Sequence, residues 1–78
     1  MSHKKIVLEA QLAAVAKEFR LKAGKKKSEA ADELGVARST LQLAEETPGQ
    51  SLTKVRIRII EKYSPYKVVG PVYLLEKK

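Results

Sequence analysis

The amino-acid sequence predicts a mainly α domain: a helix-turn-helix bundle of four to five elements with a C-terminal β-strand. Three stretches carry that prediction. Residues 27–46, KSEAADELGVARSTLQLAEE, hold a run of small and apolar residues that stops at Gly35, and a second helical run begins three residues later. Leu8, Leu12, Val15 and Phe19 recur at spacings of four, three and four, which makes one apolar stripe on a helix. Residues 66–75, YKVVGPVYLL, follow Ser64-Pro65 and carry the valines and tyrosines of a strand.

Length and composition bound the answer. At 78 residues the chain is one small domain whose single core is marginal, so partner contacts are expected to help hold it together. Without cysteine it forms no disulfide or cysteine metal site, and a reducing compartment is the simplest home. No apolar run approaches the roughly 20 residues that span a bilayer, and the start, MSHKKIVLEAQ, lacks the long apolar segment of a signal peptide. A cytoplasmic location with no membrane partner is expected. The net charge of +7 points to an anionic partner, with nucleic acid first. Its distribution is uneven: +6 over residues 1–27, −4 over residues 28–50 and +5 over residues 51–78. Phosphate attraction must therefore come from the flanks, chiefly Lys25, Lys26 and Lys27, with Lys54, Arg56 and Arg58 as further candidates. A charge run is also what any solvated face looks like.

Helix 1 is expected over residues 6–23, since Ala13, Ala14, Ala16 and Ala23 favour it and Gly24 is placed to end it. After the three lysines, Ser28 is the available cap for the next helix. Ala31 falls where the two motif helices cross, and only a small side chain lets their axes approach. Gly35 sits at the turn, a position that commonly needs positive φ. Leu34, Val36 and Leu41 point inward and lock the interhelical angle.

Thr47, Pro48, Gly49 and Gln50 make a turn. Ser51 can then cap a helix beginning at Leu52, with Val55, Ile59, Ile60 and Tyr63 on its core side. The run V-R-I-R-I-I also alternates with period two and is β-branched, so a strand over residues 52–60 competes with that helix. Ser64-Pro65 ends the element. In the strand that follows, Gly70-Pro71 suggests a bulge, bend or edge position. A lone strand cannot satisfy its backbone, so pairing with the same strand of a second subunit is expected; the alternative is a strand folded back on its own helices. Glu76, Lys77 and Lys78 read as a frayed end. Residues 1–63 thus form the helix-turn-helix domain and residues 64–78 a dimerisation segment.

The run A-A-D-E-L-G-V-A-R-S-T-L resembles the helix-turn-helix of the Cro/cI (XRE) family of phage and bacterial repressors. Ala31, Leu34, Gly35, Val36 and Leu41 stand at its alanine, its apolar residue before the turn, its turn glycine and its two inward apolar positions. The start S-L-x-x-V at Ser51 is also familiar as the family's fourth helix, although Cro-like members differ in whether the second half is helical or a β-hairpin. The resemblance implies a lambda-repressor-like fold, a recognition helix over residues 38–46 and a homodimer on double-stranded DNA. Two half-sites would then lie about 34 Å apart. It also implies an ion pair between Arg20, near the end of helix 1, and Glu45, at the end of the recognition helix.

In a docked helix-turn-helix the first turn of the second helix enters the major groove. Arg38 is then suited to guanine, Gln42 to adenine, and Ala37 or Leu43 to a thymine methyl. Ser39 and Thr40 suit phosphate or their own helix. Lys27 stands where the family carries a phosphate-contacting glutamine, and the triple lysine is the leading phosphate candidate. The sequence departs from the family pattern at Lys25, Lys26 and Lys27, which replace an apolar residue, a cap and that glutamine. It departs again at Ala37, which lacks a capping oxygen, at Leu43, usually polar, and at Glu46, an extra acid near phosphate.

Catalytic chemistry finds no purchase. His3 is the one histidine, no phosphate-cradling glycine loop is present, and no nucleophile has a base and an orienting group. No enzyme activity, cofactor, metal or small-molecule ligand is expected. The primary expectation is a repressor-like transcriptional regulator. Its rivals are a protein-interaction module, such as an antitoxin or phage accessory factor with weakened DNA binding, and a basic RNA-binding accessory protein. Three tyrosines and one phenylalanine offer little base stacking for the last of these.

Overall fold

The structure is a computed structural model and describes residues 4–69 and 73–77. Over these residues the chain forms β1 (Lys4–Val7), a 3-10 turn (Glu9–Gln11), α1 (Leu12–Lys22), α2 (Lys27–Leu34), α3 (Arg38–Glu46), α4 (Thr53–Tyr63), β2 (Tyr66–Val69) and β3 (Tyr73–Lys77). The mainly helical, helix-turn-helix architecture is the one the sequence predicts. No helix of the described residues is long and apolar enough to cross a membrane. His3, residues 70–72 and Lys78 lie outside the described residues, and with them the reading of Gly70-Pro71.

Two glycines set the corners. Gly24 (φ 72°) and Gly35 (φ 70°) are left-handed, the region that an L side chain enters only with strain. After α1, Gly24 N–H donates to Leu21 O and Lys25 N–H to Arg20 O; after α2, Gly35 N–H donates to Asp32 O and Val36 N–H to Ala31 O. Each pair has the 5→2 and 6→1 geometry that satisfies the last carbonyls of a helix and reverses the chain. The second pair also brings Val36 down onto the core beside Ala31, as the turn requires.

The core is built from Leu12, Ala16, Ala30, Ala31, Leu34, Leu41, Ala44, Ile59, Ile60 and Leu75. Ala30, Ala31 and Ala44 are fully buried, which fits the close approach of α2 and α3. Burial at Leu34 and Leu41 locks the motif from both sides of the turn.

Several expectations need correction. Helix 1 does not begin at residue 6: residues 4–7 form β1, and Leu8, read as part of the apolar stripe, is 63% exposed. The last strand is two strands, and β3 lies in the middle of an antiparallel sheet ordered β1-β3-β2. Lys4 pairs with Glu76 and Val7 with Tyr73 on one side, Tyr66 with Lys77 and Val69 with Leu74 on the other. The same chain therefore supplies the backbone partners that seemed to need a second subunit. Glu76 and Lys77, read as a frayed end, belong to β3. The segment from residue 64 is tied to the helices by buried Leu75 and by the Phe19 and Tyr66 rings, whose centroids are 5.9 Å apart.

Residues 53–63 are helical, which settles the helix-or-strand choice, with Leu52 rather than Ser51 at the N-cap position. Ser28 does not cap α2 either; the Glu29 carboxylate accepts from Lys26 N–H at 2.9 Å instead. Ser64 Oγ donates to Ile60 O and accepts from Tyr66 N–H, which ends α4 beside Pro65.

Arg20 and Glu45 are both almost fully buried. Arg20 Nε donates to Glu45 Oε2 at 2.6 Å, Nη2 to Glu45 Oε1 at 2.9 Å and Nη1 to Lys25 O at 2.7 Å. One guanidinium thus fastens α1, α3 and the loop before α2 together, the bidentate geometry that only arginine offers. Breaking such a pair leaves a buried charge alone, a loss of about 3–5 kcal/mol, whereas replacing both members with apolar residues of similar volume is often near neutral. Arg20→Met or Glu45→Leu alone should therefore strongly lower the urea midpoint, and the double variant should recover most of it. Single variants that unfold at the parent midpoint would contradict this.

Candidate nucleic-acid interface

The α3 helix is anchored on one side and bare on the other. Leu41, Ala44 and Glu45 face inward, while Arg38, Ser39, Gln42, Leu43 and Glu46 are exposed. These outward positions recur at helical spacing and form one ridge. Ala37, extended at φ −67° and ψ 148°, begins the ridge without a side-chain cap, and its carbonyl accepts from Leu41 N–H. Thr40 is half-buried at its margin. Among the described residues Arg38 has no hydrogen-bonded or ion-paired partner, so its guanidinium fork is available.

The far end of α3 is capped from α4. Arg56 is 1% exposed, and donates from Nε to Ala44 O at 2.8 Å and from Nη2 to Thr47 O at 2.7 Å. A cation on the last carbonyls of a helix satisfies orphan acceptors and complements the helix dipole. Arg58 Nη2 donates similarly to Leu34 O at the end of α2. The reading of these two arginines as phosphate candidates is corrected here: Arg56 is buried, and Arg58, although exposed as a residue, is occupied by α2. Arg56 and Ile60, one turn apart, share a buried face of α4, which explains how a polar residue entered the V-R-I-R-I-I run.

The three lysines have different surroundings. Lys25 Nζ lies 2.9 Å from Glu33 Oε2, and Tyr63 Oη donates to Glu33 Oε1 at 2.6 Å. Lys27 Nζ lies 3.8 Å from Glu46 Oε1, which places Lys27 beside the C-terminal end of α3. Lys26 is exposed, and its ammonium has no carboxylate partner among the described residues. Sequence reasoning missed Lys17. Its ammonium lies 2.8 Å from Glu46 Oε1, one turn of α1 before Arg20, a contact that the packing of α1 on α3 creates.

These contacts change the electrostatic picture of the acidic middle segment. Glu45 is held by Arg20, Glu33 by Lys25, and Glu46 by Lys17 and Lys27. Glu33, Glu45 and Glu46 are thus held by the basic flanks, and among the cations of residues 26–46 Arg38 and the Lys26 ammonium have no carboxylate partner among the described residues. An open recess of about 350 Å³, lined by Ser51, Leu52, Thr53, Lys54 and Val55, shares no residue with the ridge.

No protein-family model, curated protein or solved structure matches the chain.

The hydrogen bond from Tyr63 and the ammonium of Lys25 hold the Glu33 carboxyl below its usual range, while burial and that carboxylate push the Tyr63 hydroxyl up. A depressed carboxylate contributes stability above its ordinary pKa, and the contribution is lost as pH falls through the lowered value. Tyr63→Phe removes the largest cause, so Glu33 should titrate closer to its ordinary value and its smaller contribution should be fully lost at a higher pH. A carboxyl-carbon NMR titration reads this directly, and an unchanged Glu33 midpoint would refute the assignment.

Proposed function

We propose that this chain is a sequence-specific, double-stranded DNA-binding transcriptional regulator of the repressor type, similar in kind to the Cro/cI (XRE) proteins. The observation that carries the proposal is the bare ridge of α3, held outward by the buried Arg20–Glu45 pair. A helix exposed along one face and anchored along the other is what the major groove accommodates. On this reading Arg38 pairs with guanine, Gln42 with adenine, Leu43 or Ala37 touches a thymine methyl, and Ser39 and Thr40 approach the backbone. Lys26 and Lys27 contact phosphate, as does Lys25 to the extent that Glu33 releases it.

The reading includes a homodimer, because two related helices read a two-fold site. The sheet moves the expected contact. Both edges of β3 are occupied, and Val68 N–H in β2 donates to Glu61 Oε2 at 2.9 Å, so the outer edge of β1 is the more open route to a second copy. A protein-interaction module is the second reading, and Leu43, 42% exposed on the ridge, is the observation that favours it.

Selection of duplexes from a random pool should yield an enriched two-fold site. Arg38→Ala should then lose about 1–3 kcal/mol on that site and little on unrelated DNA. Lys26→Ala should weaken all sequences alike and reduce the salt slope by about one. Equal loss on selected and unrelated DNA for Arg38→Ala would contradict its role, and failure to enrich any duplex would overturn the proposal.

A further inference from the structure

The Glu46 carboxylate has an unusual setting. Its Oε1 lies 2.8 Å from Lys17 Nζ on α1 and 3.8 Å from Lys27 Nζ on α2. Two ammonium groups from different helices thus converge on one anionic oxygen at the surface, and all three side chains are 39–42% exposed. A point that holds one carboxylate oxygen between two lysines can equally hold a phosphate oxygen, because ammonium groups are point charges without a fixed fork. Glu46 is the last residue of α3, at the same end of the ridge that Lys27 reaches.

We propose that Lys17 is a further contact for the DNA backbone, and that in the free protein Glu46 occupies the place a phosphate takes when DNA binds. This inference rests on the DNA-binding reading above. On docking, the Glu46 side chain swings into solvent and Lys17 and Lys27 pass from carboxylate to phosphate. The exchange is feasible because exposed pairs of this kind are held weakly and are screened by salt. The Lys17 hydrogen bond and charge hold the Glu46 carboxyl below its usual range, so the carboxylate stays ionised and the competition persists at neutral pH. Glu46 therefore moderates affinity for any duplex, whatever its sequence. Lys17 was absent from the sequence-derived contacts because only the packing of α1 on α3 brings it to this end of the ridge.

The test is fluorescence anisotropy with a labelled duplex of mixed sequence, over about 50 to 300 mM salt, on the full chain. Glu46→Gln should bind about tenfold more tightly at the lowest salt, with a salt slope steeper by about one to two. Lys17→Ala/Glu46→Gln should lose about one unit of that slope and most of the gain. Glu18→Gln makes the same change in net charge and frees Lys22, whose ammonium lies 2.9 Å from Glu18, so it controls for charge alone. It should give a much smaller effect. If Glu46→Gln merely equals Glu18→Gln, or its gain survives Lys17→Ala intact, the inference is overturned while DNA binding stands. If the parent chain and every variant leave the duplex unbound at the lowest salt, the DNA reading itself fails and takes this inference with it.

Discussion

The Arg20 guanidinium is buried where α1, α3 and the loop entering α2 meet, and its three hydrogen bonds fix their relative positions. A buried ion pair contributes little net stability compared with apolar packing, but it penalises every arrangement in which its partners separate. That asymmetry is what this small domain needs. Its core is rich in alanines, which pack closely but leave few large side chains to define an angle. With Glu45 clamped, α3 has one rotational setting. In that setting Leu41 and Ala44 face the core and Arg38, Ser39, Gln42 and Leu43 face solvent.

The same logic of charge against carbonyl or carboxylate recurs around the motif. Arg56 closes the end of α3, Arg58 the end of α2, and Glu29 the start of α2. Two arginines distant in sequence thus satisfy carbonyls at the C-terminal ends of α2 and α3, while at the N-termini Lys26 and Ala37 offer no capping oxygen and nearby Glu29 serves α2. The helix ends become part of the tertiary structure. The strongly uneven charge along the chain follows from this: basic flanks surround an acidic centre because the two are folded against each other.

Much of the architecture was legible because its determinants are local. Leu34, Gly35, Val36 and Leu41 dictate a helix, a left-handed corner and a second helix within eight residues, and the structure follows them. The Arg20–Glu45 pair was legible only through resemblance, since nothing in the intervening 24 residues says that the two side chains meet. What escaped is non-local. The stripe from Leu8 onward extends a helical pattern backwards, but residues 4–7 are drawn into a strand by an edge that the last ten residues provide. Arg56 reads as a surface cation until Ala44 and Thr47, at and just past the end of α3, present their carbonyls to it. Lys17 reads as an ordinary helix lysine until Glu46 arrives beside it. In each case the missing information is the position of a distant backbone or carboxylate, which periodicity does not encode.

On the proposed reading, the outward face of α3 is the surface that meets DNA. Backbone amide NMR of the chain, titrated with a duplex enriched by selection, tests it most directly. The largest shifts should fall on residues 37–43 and on Lys26, with the amides of α4 and the sheet nearly still. Shifts concentrated on α4 or the sheet, with residues 37–43 unmoved, would contradict it.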